Sequence, residues 1–353
     1  MDKIICILAG ARPNFVKVSP LVRAIGKRSD ARCLLVYAGR ENDPTLEASL
    51  FEDLQMPRPE FFLNVDSVSL NEITSQVMAA FDRFLDSHPV DVVIVVDDLA
   101  STMAAAIVTK KRGIRLAHLV AGTRSFDINM PKEINRLVID ALSDYLFTAG
   151  VRSTGVATRE QSESSQTYHV GNILMDTLRF NYDRLRQPAD MAGLSQGSYL
   201  VFTLNRRALI ADKENLYQML LAIVESAGSL PVIAPLREEA CNVVESFGLN
   251  IQVVSPLSYL EFGWLIAHAR GVITDSGNVA EEATFHGVPC ITLNNYTEHQ
   301  ETVTVGSNIL VGEDAEKLRA TVTKMVSGEW KKCALPDRWD GRTAERIVQI
   351  LLS

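Results

Sequence analysis

Cysteine is scarce in this sequence: five in 353 residues, at positions 6, 33, 241, 290 and 333, with no C-x-x-C pair. An odd, scattered set supplies neither a disulfide framework nor a zinc knuckle, so reduced, mostly buried thiols are expected. There is no run of about 18 apolar residues, the least that crosses a bilayer as a helix. The opening MDKIICILAG holds an apolar stretch too short for the core of a secretory signal. A cytoplasmic protein with no membrane partner is therefore expected. Basic residues are in the minority, 35 against 43 acidic ones, for a net charge of −8. That balance argues against nucleic acid as a partner while leaving room for a local anion site. The turn at Gly10 lacks G-x-G-x-x-G spacing and no motif demands a metal, so no cofactor is expected.

What is present is globular: 47% hydrophobic and 22% charged residues. The length exceeds the roughly 250–300 residues at which one core stops growing, which suggests two domains. Short apolar runs bounded by Gly, Pro or Asp alternate with helical patterns, the signature of a parallel sheet covered on both faces. The spacing predicts strands at 4–8, 33–37, 92–96, 115–119 and 145–148, with helices at 15–27, 70–87 and 100–112. A second series of strands is predicted at 199–203, 231–234, 251–253, 271–274 and 289–293. The polar stretch 181–197, NYDRLRQPADMAGLSQG, reads as a linker between a domain at 1–180 and another at 198–335. The expected fold class is α/β, two doubly wound Rossmann-like domains facing a central cleft, with ligand chemistry in the loops after the strands.

Those loops carry the polar residues. GARPNFVK offers Arg12 and Lys17 to an anion at a helix start, or is a solvated turn. ITDSGNVAEE ends a strand and opens a helix: Ser276 and Gly277 suit a phosphate, and Glu282 suits ribose hydroxyls, unless the motif is merely a capped helix. Between Ala117 and Arg136 the sequence crowds His118, Arg124, Asp127, Glu133 and Arg136 into one strand-end loop. Taken singly, His118 reads as a structural histidine and Glu133 with Arg136 as a helix pair. VVDDLAST places Asp97 and Asp98 at another strand end, where one carboxylate can serve as acid or base, or cap the next helix. TLNRR contributes Asn205 and Arg206, and YTEHQETVTVG contributes His299.

Taken in order, these stretches resemble the non-hydrolysing UDP-N-acetylglucosamine 2-epimerase family, whose fold is of the glycosyltransferase-B type. Its G-T-R-P matches Gly10–Pro13, its G-D-T-T matches Asp97–Ala100, and its H-V-E-A-G-L-R-S matches His118–Ser125. Its P-E-E-x-N-R matches Pro131–Arg136, its T-G-N-T-x-x-D-x-L matches Val170–Leu178, and its D-S-G-G-x-x-E-E matches DSGNVAEE. GRTAERIVQIL resembles the family's closing helix, which implies that 336–353 packs back on the first domain. The resemblance implies removal of the C2 proton of a UDP-sugar with loss of UDP, then re-addition with C2 inverted. It also implies a homodimer. The departures fall on reactive positions: Val120 and Lys132 stand where the family has Glu, Asn205 where it has His, His299 where it has Arg, and Asn278 where it has Gly.

Asp98, Glu133, Arg136 and His118 are thus the candidate catalytic residues. Arg12, Lys17, Arg124, Asn205, Arg206, Ser276, Gly277, Glu282 and His299 are the candidates for binding substrate and nucleotide. The expected ligand is a UDP-HexNAc. Epimerisation through Asp98, sugar transfer from a UDP-sugar, and binding without turnover remain open on the residues alone.

Overall fold

The apolar runs fold as strands, and every strand pairing is parallel. A computed structural model describes residues 2–353, which divide into two units. The first runs to Phe180 and takes up Asp337–Ser353; the second is Asn181–Pro336.

The first unit contains β1 (Lys3–Ala9), β2 (Ala31–Tyr37), β3 (Phe61–Phe62), β4 (Val92–Val96), β5 (Arg115–Leu119), β6 (Tyr145–Thr148) and β7 (Gln166–His169). They lie in the order β3-β2-β1-β4-β5-β6-β7. All five residues of β4, VVIVV, are buried, as a central strand with helices on both faces requires. The second unit contains β8 (Leu200–Thr203), β9 (Val232–Pro235), β10 (Ile251–Val254), β11 (Gly271–Thr274), β12 (Cys290–Thr292) and β13 (Asn308–Leu310), in the order β10-β9-β8-β11-β12-β13. The strand order of each sheet reverses once, between β1 and β4 and between β8 and β11. Loops at such a switch point diverge and leave a crevice beyond the strand ends.

Strands β3, β7 and β13 have no counterpart among the sequence-predicted ones. Two of them are the outermost strands of the first sheet and the third closes one side of the second. They are two to four residues long and mostly half-exposed, so they lack an apolar run. The helix Arg12–Gly26 begins three residues before its predicted start, because Asn14 Oδ1 accepts the Gly10 and Ala11 amides and Pro13 sits in the first turn. The stretch 181–197 does not behave as a bare linker: it holds two short turns, and Met191 is buried in the second unit's core beside Tyr199 and Leu265.

The last helix, Thr343–Leu352, belongs to the first unit. Asp176 accepts the amides of Thr343 at 3.0 Å and Ala344 at 2.8 Å, capping its start. Lys3 bonds the Leu351 carbonyl at its end, and Ile347, Val348 and Leu351 are buried. All five cysteines are unpaired. Among the described residues no helix is long and apolar enough to cross a membrane.

Candidate functional site

In the first unit the switch point is built by the loops after β1 and β4. They touch so closely that a β-carbon on Gly10 would strike Ser101 Oγ, which is why glycine stands there. Asn14 Nδ2 reaches Asp97 Oδ2 at 2.9 Å and Lys17 Nζ reaches Asp97 Oδ1 at 2.6 Å. Lys17, expected to face an anionic ligand, is instead buried and paired with Asp97. Arg12 opens its helix and is partly exposed.

Asp97 itself adopts the left-handed conformation, φ 59°, at the position where the resemblance places glycine. Its carbonyl accepts from His118 Nε2 at 2.9 Å, while His118 Nδ1 lies 2.5 Å from Asp140 Oδ1. Asp140 Oδ2 in turn accepts from Arg124 at 2.7 Å and from the Gly122 amide at 3.0 Å. Arg124 also binds Glu160 at 2.8 Å. His118 and Arg124, expected in catalysis and ligand binding, lie in a buried brace in which each bonds to protein partners. Burial pushes Asp140 up, but His118 and Arg124 outweigh it and hold the carboxyl below its ordinary value.

Asp98 is half-buried like Asp97, its side chain 13% exposed. Arg136 donates to Asp98 Oδ2 through Nε at 2.9 Å and Nη2 at 2.6 Å, and Lys132 Nζ lies 3.7 Å from Oδ1. Glu133 accepts from the Ser125 amide at 2.8 Å, the Ser125 hydroxyl at 2.9 Å, the Phe126 amide at 3.2 Å and Arg136 at 3.2 Å. Burial pushes Glu133 up, and these hydrogen bonds overcome it to keep the carboxyl below its usual range. Asp98, Glu133 and Arg136 thus come together as the sequence suggested. Glu133 stitches a loop to its helix, whereas Asp98 lies beside two cations, Arg136 and Lys132.

Val120 stands where the resemblance places a carboxylate, and it has φ 72°. A β-branched residue is strained there, at a cost of order 1–3 kcal/mol. Val120→Gly is expected to raise stability by about 1 kcal/mol, once the greater chain entropy of glycine is set against the relieved strain. Urea unfolding monitored by circular dichroism measures it.

In the second unit, Asp275 Oδ2 accepts the amides of Asn205 at 2.7 Å and Arg206 at 2.6 Å, tying the loop after β8 to the loop after β11. The Arg206 guanidinium binds Glu313 and Asn294, so its charge is partly met within the protein. The helix Gly277–His286 starts directly beyond Asp275. Its N-cap, Ser276, makes no side-chain cap bond, which leaves first-turn amides without that partner. Unpaired amides with the helix dipole behind them suit a phosphate. His299 Nδ1 lies 2.9 Å from Glu281 Oε1. A β-carbon on Gly277 would lie 3.2 Å from His299 Cδ2 and 3.7 Å from Nε2, so the ring edge covers the helix start.

Glu282 follows on the same helix, and burial with the Glu281 charge pushes it up to about 8. At neutral pH it carries a proton and can donate as well as accept. Its folded value lies above the unfolded value of about 4.3. The stability it contributes is thus full below about pH 4 and eroded as pH rises towards about 8. Glu282→Gln removes that erosion, so its Tm relative to wild type should climb between about pH 5 and pH 8 in scanning calorimetry.

Two residues that anchor the brace, Asp140 and Glu160, escaped the sequence reading because they look like solvated helix positions until the fold brings them to Arg124. The candidate residues occur as Arg12, Lys17, Asp98, His118, Arg124, Glu133 and Arg136 in the first unit, and Asn205, Arg206, Ser276, Gly277, Glu282 and His299 in the second.

Comparison with known proteins shows the family and the fold. The sequence profile described as UDP-N-acetylglucosamine 2-epimerase matches residues 23–352. The chain is 33% identical to UDP-N-acetylglucosamine 2-epimerase of Methanocaldococcus jannaschii, over 98% of both chains. It is also 33% identical to UDP-2,3-diacetamido-2,3-dideoxy-D-glucuronate 2-epimerase of Pseudomonas aeruginosa, over 99% of both. The crystal structure of the M. jannaschii enzyme in complex with UDP-GlcNAc and UDP matches with a TM-score of 0.86, at 33% identity and covering 99% of each chain. The Neisseria meningitidis enzyme bound to UDP-GlcNAc shares the fold, with a TM-score of 0.89 at 22% identity over 99% of each chain. Two Rossmann-like domains of the glycosyltransferase-B type and a profile match across nearly the whole length lead to one conclusion: the chain belongs to the UDP-N-acetylglucosamine 2-epimerase family.

Proposed function

We propose that this protein is an isomerase that inverts C2 of a UDP-HexNAc by eliminating and re-adding UDP. The observation that carries this reading is Asp98, held by Arg136 and approached by Lys132 at the first sheet's switch point. In the proposed reaction Asp98 takes the C2 proton as the C1–O bond breaks and its electrons leave with UDP. The glycal then accepts UDP again at C1 while C2 takes a solvent-derived proton on its other face, and Asp98 releases its proton to solvent. Support for a UDP-sugar ligand comes from the relatives with bound UDP-GlcNAc and from the helix start at Ser276 and Gly277. We also propose a homodimer, because Phe126, Ile128, Ile134, Leu137 and Val151 expose large apolar side chains on the helix Pro131–Leu142, the loop before it and the next helix start. Sedimentation equilibrium tests that assembly.

Val120, Lys132 and Asn205 favour a second reading, a nucleotide-sugar protein that has lost C2 chemistry and either transfers the sugar or only binds it. One experiment separates the two. The protein is incubated with UDP-GlcNAc in deuterated water and C2 is followed by proton NMR, with calorimetric titration of UDP alongside. Deuterium at C2 with a growing manno signal supports the isomerase. UDP binding without exchange supports the second reading for that substrate.

A further inference from the structure

Every polar group of Asp97 is bonded. Its amide donates to the Leu119 carbonyl at 3.2 Å and its carbonyl accepts from His118 Nε2 at 2.9 Å, which fastens the end of β4 to the end of β5. Its carboxylate reaches the other way: Oδ1 accepts from Lys17 Nζ at 2.6 Å and Oδ2 from Asn14 Nδ2 at 2.9 Å, both on the helix Arg12–Gly26. That ion pair is mostly buried, with 8% of the Lys17 side chain and 17% of the Asp97 side chain exposed. The backbone at Asp97 is left-handed, φ 59°, a conformation that aspartate tolerates better than most residues but seldom adopts unaided. Asp98 follows directly, and its own bonds run to the helix Pro131–Leu142, through Asn135 to its carbonyl at 2.8 Å and through Arg136 to its carboxylate. The two aspartates thus tie one loop to two different helices.

We propose that Asp97 is a positioning residue for Asp98: its carboxylate, held by Lys17 and Asn14, locks the left-handed turn that sets where the next carboxylate stands. This inference rests on the reading that Asp98 takes the C2 proton. The dihedrals of residue 97 fix the direction of the peptide that joins it to Asp98. Glycine, which the resemblance places at 97, enters the left-handed conformation without a clash but leaves it as readily. Aspartate adds two bonds to the first helix that the chain must break before the turn can relax. A misplacement of about 1 Å at a reacting group can cost about 10²-fold in rate, so the anchor acts on turnover rather than on binding. Asp97 touches no reacting atom in this role; it acts through Asp98.

Two variants, Asp97→Gly and Asp97→Asn, test the proposal with two readouts. In turnover with UDP-GlcNAc, Asp97→Gly should lower kcat about 10–10²-fold while KM stays within about threefold, the pattern of an interaction realised only in the transition state. Asp97→Asn tolerates the same conformation and keeps an oxygen acceptor for one of the two donors, so its kcat should fall between glycine and wild type. Amide hydrogen exchange reads the loop without substrate, at residues 97 and 99, whose amides bond the Leu119 carbonyl and the Thr102 hydroxyl. Protection there should drop about tenfold in Asp97→Gly and less in Asp97→Asn. Wild-type kcat in Asp97→Gly overturns the proposal, as does a loss of kcat with protection unchanged. A wild type that binds UDP yet exchanges no C2 proton overturns the epimerase reading instead, and protection of the loop then decides alone whether Asp97 fixes residue 98.

Discussion

Asp98→Asn is expected to slow C2 proton exchange about 10²–10⁴-fold, the range over which a positioned acid or base contributes. An amide is nearly the same shape as the carboxylate, so Arg136 and Lys132 keep a neighbour of unchanged size. What disappears is the capacity to carry the C2 proton. Arg136 retains Glu133 at 3.2 Å, and Asn135 still reaches the backbone carbonyl of residue 98, so the loop should hold its course. Ser276, Gly277 and Glu282 lie in the other unit, and UDP affinity should therefore stay within about threefold, a difference smaller than 1 kcal/mol. Deuterium incorporation at C2 and UDP calorimetry on one preparation check both halves. Exchange at the wild-type rate would remove Asp98 from the mechanism.

Asp140→Ala should give the largest loss of stability, about 3–5 kcal/mol, because it strands a buried arginine and histidine. Arg124 would keep Glu160, whose side chain is 36% exposed, but lose its buried partner; His118 would lose the carboxylate that fixes its ring. The damage should travel to Asp97, whose left-handed carbonyl is held by His118, and hence to Asp98 next to it. Guanidinium unfolding measures the loss, and its pH dependence has a definite sign. Asp140 has a folded value below the unfolded value of about 3.9, so its contribution is present above that pH and lost as pH falls through the depressed value. The gap between wild type and variant should accordingly narrow below about pH 4.

Local signals explain what was legible in the sequence. Strand, turn and helix start are consecutive in GARPNFVK and in ITDSGNVAEE, so both switch-point loops could be placed from residue types alone. The buried runs of β4 and, beyond Arg115, of β5 were readable for the same reason. Partnership was not. Lys17 meets Asp97 across 80 residues, and Arg124 meets Glu160 across 36, and no spacing rule reports a pairing made by the fold. A cation in a strand-end loop suggests a ligand until its carboxylate is found. The inverse holds for Asp98 and Arg136, which lie 38 residues apart, one after a strand and the other in the helix Pro131–Leu142, yet were both named as candidates from the motifs that carry them.

The helix Thr343–Leu352 completes the first unit although the entire second unit precedes it in the chain. On the ribosome the two halves are therefore made out of structural order. At 5–20 residues per second, the segment that caps Asp176 and covers the helix Arg12–Gly26 follows residue 180 by on the order of ten seconds. Throughout that interval a carboxylate meant for two buried amides stands in water, beside an apolar helix face with nothing on it. The nascent protein must survive that wait uncovered, so a chaperone that shields this face during translation would raise the yield of folded protein without altering its final stability.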